Sequence, residues 1–263
     1  MANSTWDPGQ YLKFSDERSR PFYDLIGRIG ATAPDSVADI GCGPGQLTAD
    51  LARRWPLAQV LGVDNSAEMI AAAGRVAADA SDLDNLRFDL MDAGDWVPAE
   101  PVGVIVSNAT IQWIPSHEEL LARWVDYLAA DGWLAIQLPA NYDQPVHALM
   151  RELISSPRWR HRIGEVELTR QSGDPVTYLD LLATAGCQVD AWETTYQHIL
   201  TGEDPVLNWV RGTGLRPVLT ALSPDDEPEF LTEYGALLRQ AYPGRPYGTV
   251  LPFRRVFAVA HKP

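Results

Sequence analysis

The first two-thirds of the chain alternates short apolar runs with stretches of helical spacing. Ser36–Ile40 is a run stopped by Gly41 and predicts a buried strand. In Gln46–Trp55, Leu47, Leu51, Ala52 and Trp55 share one face and predict a helix. Ala58–Val63 predicts a second strand, and Ser66 is placed to cap a helix reaching Ala78, with Glu68 in its first turn. Leu86–Leu90 and Val102–Ser107 predict the third and fourth strands. Ser116-His-Glu-Glu119 has the form of a capping box opening a helix through Leu128, and Asp131-Gly132 turns into a fifth strand, Trp133–Leu138. Strands and helices in this alternation make an α/β protein with a mostly parallel sheet and helices on both faces.

After Pro139 the rhythm changes. Val146–Ile154 predicts a helix, residues 156–175 are polar and aperiodic, and Val176–Ala185 predicts a helix closed by Gly186. Val189–Leu200 predicts a long strand. Asp204-Pro205 and Ser223-Pro224 read as cap-plus-proline helix starts, giving helices near 205–211 and 224–241, and Phe253–Ala260 predicts a final, seventh strand. The chain reads as one domain over 1–263. Within it, 1–30 forms a helical cover, 31–140 a core, and 141–175 and 201–250 insertions, the second a helical lid before the last strand.

Composition narrows the classes of function. The 263 residues are 46% hydrophobic and 21% charged, an ordinary globular balance. The net charge of −14 disfavours nucleic-acid and anionic-membrane partners, yet leaves room for a local cationic pocket. Two cysteines, Cys42 and Cys187, are too few for a disulfide framework, and nothing has the spacing of a metal site. The N-terminal residues lack the apolar stretch of a signal peptide and no membrane-length apolar run occurs, so a cytoplasmic location is expected.

The chemistry centres on Val37-Ala-Asp-Ile-Gly-Cys-Gly-Pro-Gly45. A strand ends in a glycine-rich turn that opens a helix, bringing backbone and helix N-terminus close to a ligand. Asp64 ends the next strand, on the order of 20 residues downstream, where a carboxylate accepts hydrogen bonds from ribose hydroxyls. A nicotinamide or flavin enzyme would carry a third glycine where Gln46 stands. Asp39, Asp64 and Asp92 each lie at the carboxyl end of a predicted strand, the edge at which open α/β sheets bind ligands.

This constellation resembles the class I S-adenosylmethionine-dependent methyltransferases. The resemblance implies a Rossmann-like sheet of seven strands, one antiparallel, with S-adenosyl-L-methionine as cofactor. It places the cofactor's methionine end at Asp39, Gly41, Cys42 and Gly43, its ribose at Asp64 and Asn65, and its adenine at Asp92 and Ala93. Asn108, at the end of the fourth strand, falls where the family places the cofactor's methionine moiety and begins the substrate pocket, and is a further cofactor residue by that resemblance.

Four further segments resemble the trans-aconitate methyltransferases: Trp6–Pro21, Asn108–His117, Asn208–Pro217 and Pro252–Ala260. The family esterifies one carboxylate of trans-aconitate, giving a monomethyl ester. The reading from residues is compatible, because a tricarboxylate calls for arginines whose planar forks pair with carboxylates. Arg211 precedes a Gly-Thr-Gly turn whose amides are candidates for an anion nest, and Arg18 and Arg254 are further candidates. Of Arg254 and Arg255, at most one faces the pocket, since residues alternate along a strand. His147, which resembles a family histidine, either orients a substrate oxygen or faces water. Tyr11 and Gln112 complete the expected substrate set, and Trp113 lines the pocket or packs the core. No catalytic base is required, because a carboxylate is already ionised at neutral pH. A carboxyl methyltransferase acting on another diacid, free or carrier-bound, is the nearest alternative. A non-catalytic cofactor-binding protein is the alternative from another class.

Overall fold

The computed structural model describes residues 15–80, 82–166, 168 and 173–263, with the side chains of 15–18 outside that set. The chain groups into two compact units. One comprises 1–139, 172–194 and 255–263, and the other 140–171 and 195–254.

The first unit is built on a sheet of order β3-β2-β1-β4-β5-β8-β6. Its strands are β1 (Ser36–Ile40), β2 (Gln59–Asp64), β3 (Leu86–Leu90), β4 (Val102–Asn108), β5 (Leu128–Pro139), β6 (Gln188–Leu200) and β8 (Gly248–His261). β6 and β8 each run on into the second unit, where β8 pairs with the two-residue β7 (Gly244–Arg245). β2 and β4 flank β1 in parallel, β3 and β5 continue parallel outward, and β8 pairs antiparallel with β5. The expected seven-strand sheet with an antiparallel member is therefore observed. Its central strands are nearly continuous apolar runs because helices cover both faces. Val37, Ile40, Val104, Ile105, Val106, Leu134 and Ile136 are all buried.

The helices of this unit are α1 (Ser15–Ile26), α2 (Gln46–Arg54), α3 (Ala67–Asp79), α4 (His117–Asp126) and α7 (Pro175–Thr184). α3 starts as predicted, with the Ser66 hydroxyl accepting from the Met69 amide at 3.2 Å. The capping box at α4 is not formed. Ser116 adopts φ 55, a left-handed conformation in which its side chain makes no cap bond. β5 begins at Leu128, where the helix was predicted to end, and absorbs the Asp131-Gly132 turn.

The second unit contains α5 (Pro145–Ser155), α6 (Arg160–Ile163), α8 (Pro205–Arg211), α9 (Arg216–Ala221) and α10 (Glu227–Ala241). Phe230, Tyr234 and Leu238 lie one turn apart on α10 and are buried. Trp159 packs edge-on to Phe230 at 5.0 Å and donates its indole N–H to Glu233 at 2.8 Å. Two predictions need correction here. Asp204 precedes α8 at φ 43 and makes no cap bond; its carboxylate accepts from Arg239 instead. α10 starts at Glu227, three residues past the predicted proline, because the Ser223 hydroxyl accepts from the Asp226 amide in a preceding turn. No helix among the described residues is long and apolar enough to cross a membrane.

Candidate functional site

The carboxyl ends of β1, β2, β3 and β4 gather the cofactor candidates in the first unit. β1 passes into the glycine turn at Gly41. The amides of Gly41 and Cys42 both donate to the Val63 carbonyl, locking the turn to the end of β2. Gly41 has φ +81, and a Cβ there would sit 2.0 Å from Thr110 Oγ1, so this position admits glycine alone. Gly43 also has positive φ, but a Cβ there would meet nothing within 4 Å. One glycine thus serves close packing and the other borders open space.

Asp64 holds this turn, and Asp39 holds the helix that follows it. The Gly43 amide donates to Asp64 Oδ2 at 3.0 Å, and the Ser66 amide to Asp64 Oδ1 at 2.9 Å. Burial raises the Asp64 carboxyl above its ordinary range, against the pull of these amides. Asp39 is 3% exposed and accepts from Thr48 Oγ1 at 2.6 Å. Burial pushes it up to about 7, the Thr48 hydrogen bond opposes the shift, and the Asp64 charge adds to it. Cys42 is buried beside both carboxylates, and burial, then Asp39 and Asp64, raises its thiol; it is therefore no thiolate nucleophile. Next along the edge, Asn65 donates to Asp92 Oδ2 at 3.1 Å while the Gly94 amide donates to Asp92 Oδ1 at 2.8 Å. Ala93 is buried beside them.

At the end of β4, Ala109 takes φ 56, a left-handed conformation unusual for alanine. The Thr110 hydroxyl that follows lies 3.4 Å from the Gly41 carbonyl and 3.2 Å from that of Asn108, tying this corner to the glycine turn. Among the described residues, two buried acceptors here have no donor: Asn108 Oδ1 and Gln112 Oε1. Open space at Gly43, acidic strand ends and donorless oxygens suit a cationic ligand rich in N–H and O–H groups. S-adenosylmethionine is such a ligand, so the residues present fit it. Trp113, expected beside the substrate, is 41% exposed.

The second unit brings together a different subset. His147, in the first turn of α5, has Nε2 3.4 Å from the amide nitrogen of buried Asn141. A Cβ on Gly214 would lie 2.9 Å from His147 Cε1, so the Arg211-Gly-Thr-Gly214 turn passes directly against the imidazole. Arg211 has a half-exposed side chain and pairs with Glu227 at 2.8 Å. The nest expected at this turn is diminished, since the amides of Thr213 and Leu215 both donate to the Val210 carbonyl and finish α8. Arg254 donates to the Ala140 carbonyl at 3.3 Å. In the first unit Arg255 is buried and donates to Gln137 Oε1 at 3.1 Å, so the neighbouring arginines diverge as strand alternation requires. Tyr11 and the Arg18 side chain lie outside the described residues.

Several supporting side chains were missed from sequence. Thr48 and Thr110 looked like ordinary polar positions, yet Thr48 is a fully buried hydroxyl on the core face of α2 and that placement was its available signal. Tyr234 and Tyr242 carried no local signal. Their hydroxyls reach the carbonyl and the amide of Val146, the residue before His147.

The methyltransferase domain family matches residues 37–132. The trans-aconitate 2-methyltransferase of Streptomyces avermitilis is 51% identical over 264 residues, covering 98% of this chain and 97% of that protein. The enzyme of the same name from Streptomyces coelicolor is also 51% identical, covering 98% of this chain and 87% of that protein. Among solved structures, the YcgJ protein of Bacillus subtilis superposes with a TM-score of 0.58 at 15% identity, covering 92% of this chain and 98% of that one. At that identity the likeness bears on the fold, which is Rossmann-like.

Proposed function

The chain belongs to the trans-aconitate 2-methyltransferase family, and from that membership we propose that it methylates one carboxylate of trans-aconitate, using S-adenosylmethionine and releasing a monomethyl ester and S-adenosylhomocysteine. The observation that carries the proposal is the reach of the similarity. The matched stretch covers 98% of the chain at 51% identity, so it spans the second unit as well as the glycine turn and strand ends of the first.

In this reading Asp64 accepts from the ribose hydroxyls, with Asn65 beside it, and Asp92 and Ala93 hold the adenine. Asp39, Gly41, Cys42, Gly43 and Asn108 border the methionine half. When bound, S-adenosylmethionine supplies an electrophilic methyl group on a cationic sulfur. That methyl would pass to a substrate carboxylate oxygen with S-adenosylhomocysteine as the leaving group, and no residue of the chain would need to move a proton because the acid is already ionised. Catalysis is then chiefly positioning. Arg211 and Arg254 are the cations proposed to hold the acid's carboxylates and His147 to orient them, with Arg18 and Tyr11 kept as further candidates from the sequence.

The proposal is of a cytoplasmic enzyme with a free small acid as substrate and no nucleic-acid or membrane partner. The net charge of −14 and two buried free cysteines support it. S-adenosylhomocysteine release, assayed with trans-aconitate, cis-aconitate, citrate, isocitrate and a malonyl thioester, tests it. Selective turnover of trans-aconitate is expected. Preference for the thioester would replace the substrate, and binding without turnover on any acid would remove it.

A further inference from the structure

Gln112 sits in the short 3-10 turn Ile111–Trp113 after β4 and is 93% buried, with 7% of its surface exposed. Its Nε2 donates to the Ala109 carbonyl at 2.6 Å. That bond fixes the amide's orientation, because the reversed amide would set oxygen against oxygen. Oε1 therefore points away from Ala109, and it has no donor among the described residues. Asn108 Oδ1, four residues earlier, is a second buried oxygen in the same state. A buried acceptor left without a donor is destabilising, so a pair of them at one strand end marks a place that a donor-bearing ligand completes.

The substrate acid is the wrong ligand for these oxygens. Ionised trans-aconitate presents only acceptors, and acceptor facing acceptor repels. The cofactor has donors in three places, and the ribose and adenine donors have partners proposed in Asp64 and Asp92. What is left is the ammonium of its methionine half, with three N–H groups and a positive charge. Thr110, shared between the Gly41 and Asn108 carbonyls, ties this corner to the glycine turn where that half is expected.

We infer that Gln112 is a cofactor residue, its Oε1 accepting with Asn108 Oδ1 from the ammonium of S-adenosylmethionine, and not the acid-binding residue its sequence position suggested. The inference rests on the cofactor half of the proposed function and is independent of which acid is methylated.

Calorimetric binding of S-adenosylhomocysteine and of its deaminated analogue, with no acid present, tests it. Gln112→Met keeps the side chain's length and removes the oxygen. It is expected to weaken S-adenosylhomocysteine binding about 10–100-fold, as for a hydrogen bond to a charged group, and to leave the deaminated analogue within about twofold. The KM for trans-aconitate should not rise once cofactor is saturating. Asn108→Ala, which spares the Gln112–Ala109 bond, should give the same pattern and serves if Gln112→Met fails to fold. Equal losses for the two ligands, or unchanged cofactor binding with a raised KM for the acid, would overturn the assignment. A wild-type protein that binds neither ligand would instead overturn the cofactor reading itself.

Discussion

Replacing Asp39 by asparagine removes a buried negative charge while keeping the side chain's shape and an oxygen to accept from Thr48. In the wild-type protein the carboxyl is pushed from its ordinary 3.8 up to about 7, chiefly by burial. The folded state therefore holds a proton more tightly than the unfolded chain. The stability linked to that proton is complete below pH 3.8 and is lost as pH rises through 7. Asparagine has no such proton to lose. The variant should be the more stable protein, by under about 2 kcal/mol at pH 5 and about 4 kcal/mol at pH 8. Urea unfolding of the ligand-free proteins at pH 5, 6, 7 and 8, at constant ionic strength, measures the gap. A gap that stays flat across that range, or a variant less stable at pH 8, would refute the reasoning. The same carboxylate favours a cationic ligand once ionised, so wild-type affinity for S-adenosylmethionine should rise from pH 5 to 7 by more than the variant's, in which Asp64 alone of the two remains.

Other substitutions probe the remaining parts of the account. Arg211→Ala should cut trans-aconitate turnover at low substrate about 10–100-fold, with cofactor affinity unchanged. Its effect on stability should stay below about 1 kcal/mol, since the Glu227 pair is solvent-exposed. Equal loss of cofactor binding would remove Arg211 from the acid site. Gly41→Ala forces a positive φ and a Cβ 2.0 Å from Thr110 Oγ1, and should cost about 2–5 kcal/mol in chemical unfolding. Thr110→Ala should restore only part of it, because Thr110 Cβ itself lies 2.6 Å from the new atom. Ala109→Gly relieves the left-handed backbone at φ 56 and should stabilise the fold by a net of about 0.5–1 kcal/mol after the entropy cost of glycine, raising the melting temperature. A lowered melting temperature would count against strain at that corner.

The parallel sheet was legible because its strands are short apolar runs closed by turns, and β1 and β3 match their predicted bounds to the residue. The glycine turn and the acidic strand ends were legible because a strand, a turn and a helix fix them locally. Helix caps were less so. Ser116 and Asp204 have suitable side chains, but the backbone holds both in left-handed conformations that turn those side chains elsewhere. α9 was missed because Gly212-Thr-Gly214 masked a helix starting at Arg216. β8 starts five residues before its prediction, with Pro252 falling inside the strand. Least legible were the bonds between distant segments. Tyr234 and Tyr242 grip Val146 from 88 and 96 residues away, and the pairing of Arg255 with Gln137 spans 118. Nor could sequence show that Gln112 spends its donor on Ala109 and leaves its oxygen open, which is what shifts that residue from acid to cofactor.

The central claim is the transfer of a methyl group from S-adenosylmethionine to trans-aconitate. Incubating the protein with methyl-13C cofactor and trans-aconitate, and following the label by carbon NMR, tests it most directly. The account predicts a new methyl-ester resonance that grows in step with S-adenosylhomocysteine and belongs to a monomethyl ester of the acid. Label that stays on the sulfonium while cofactor binding is intact would contradict it.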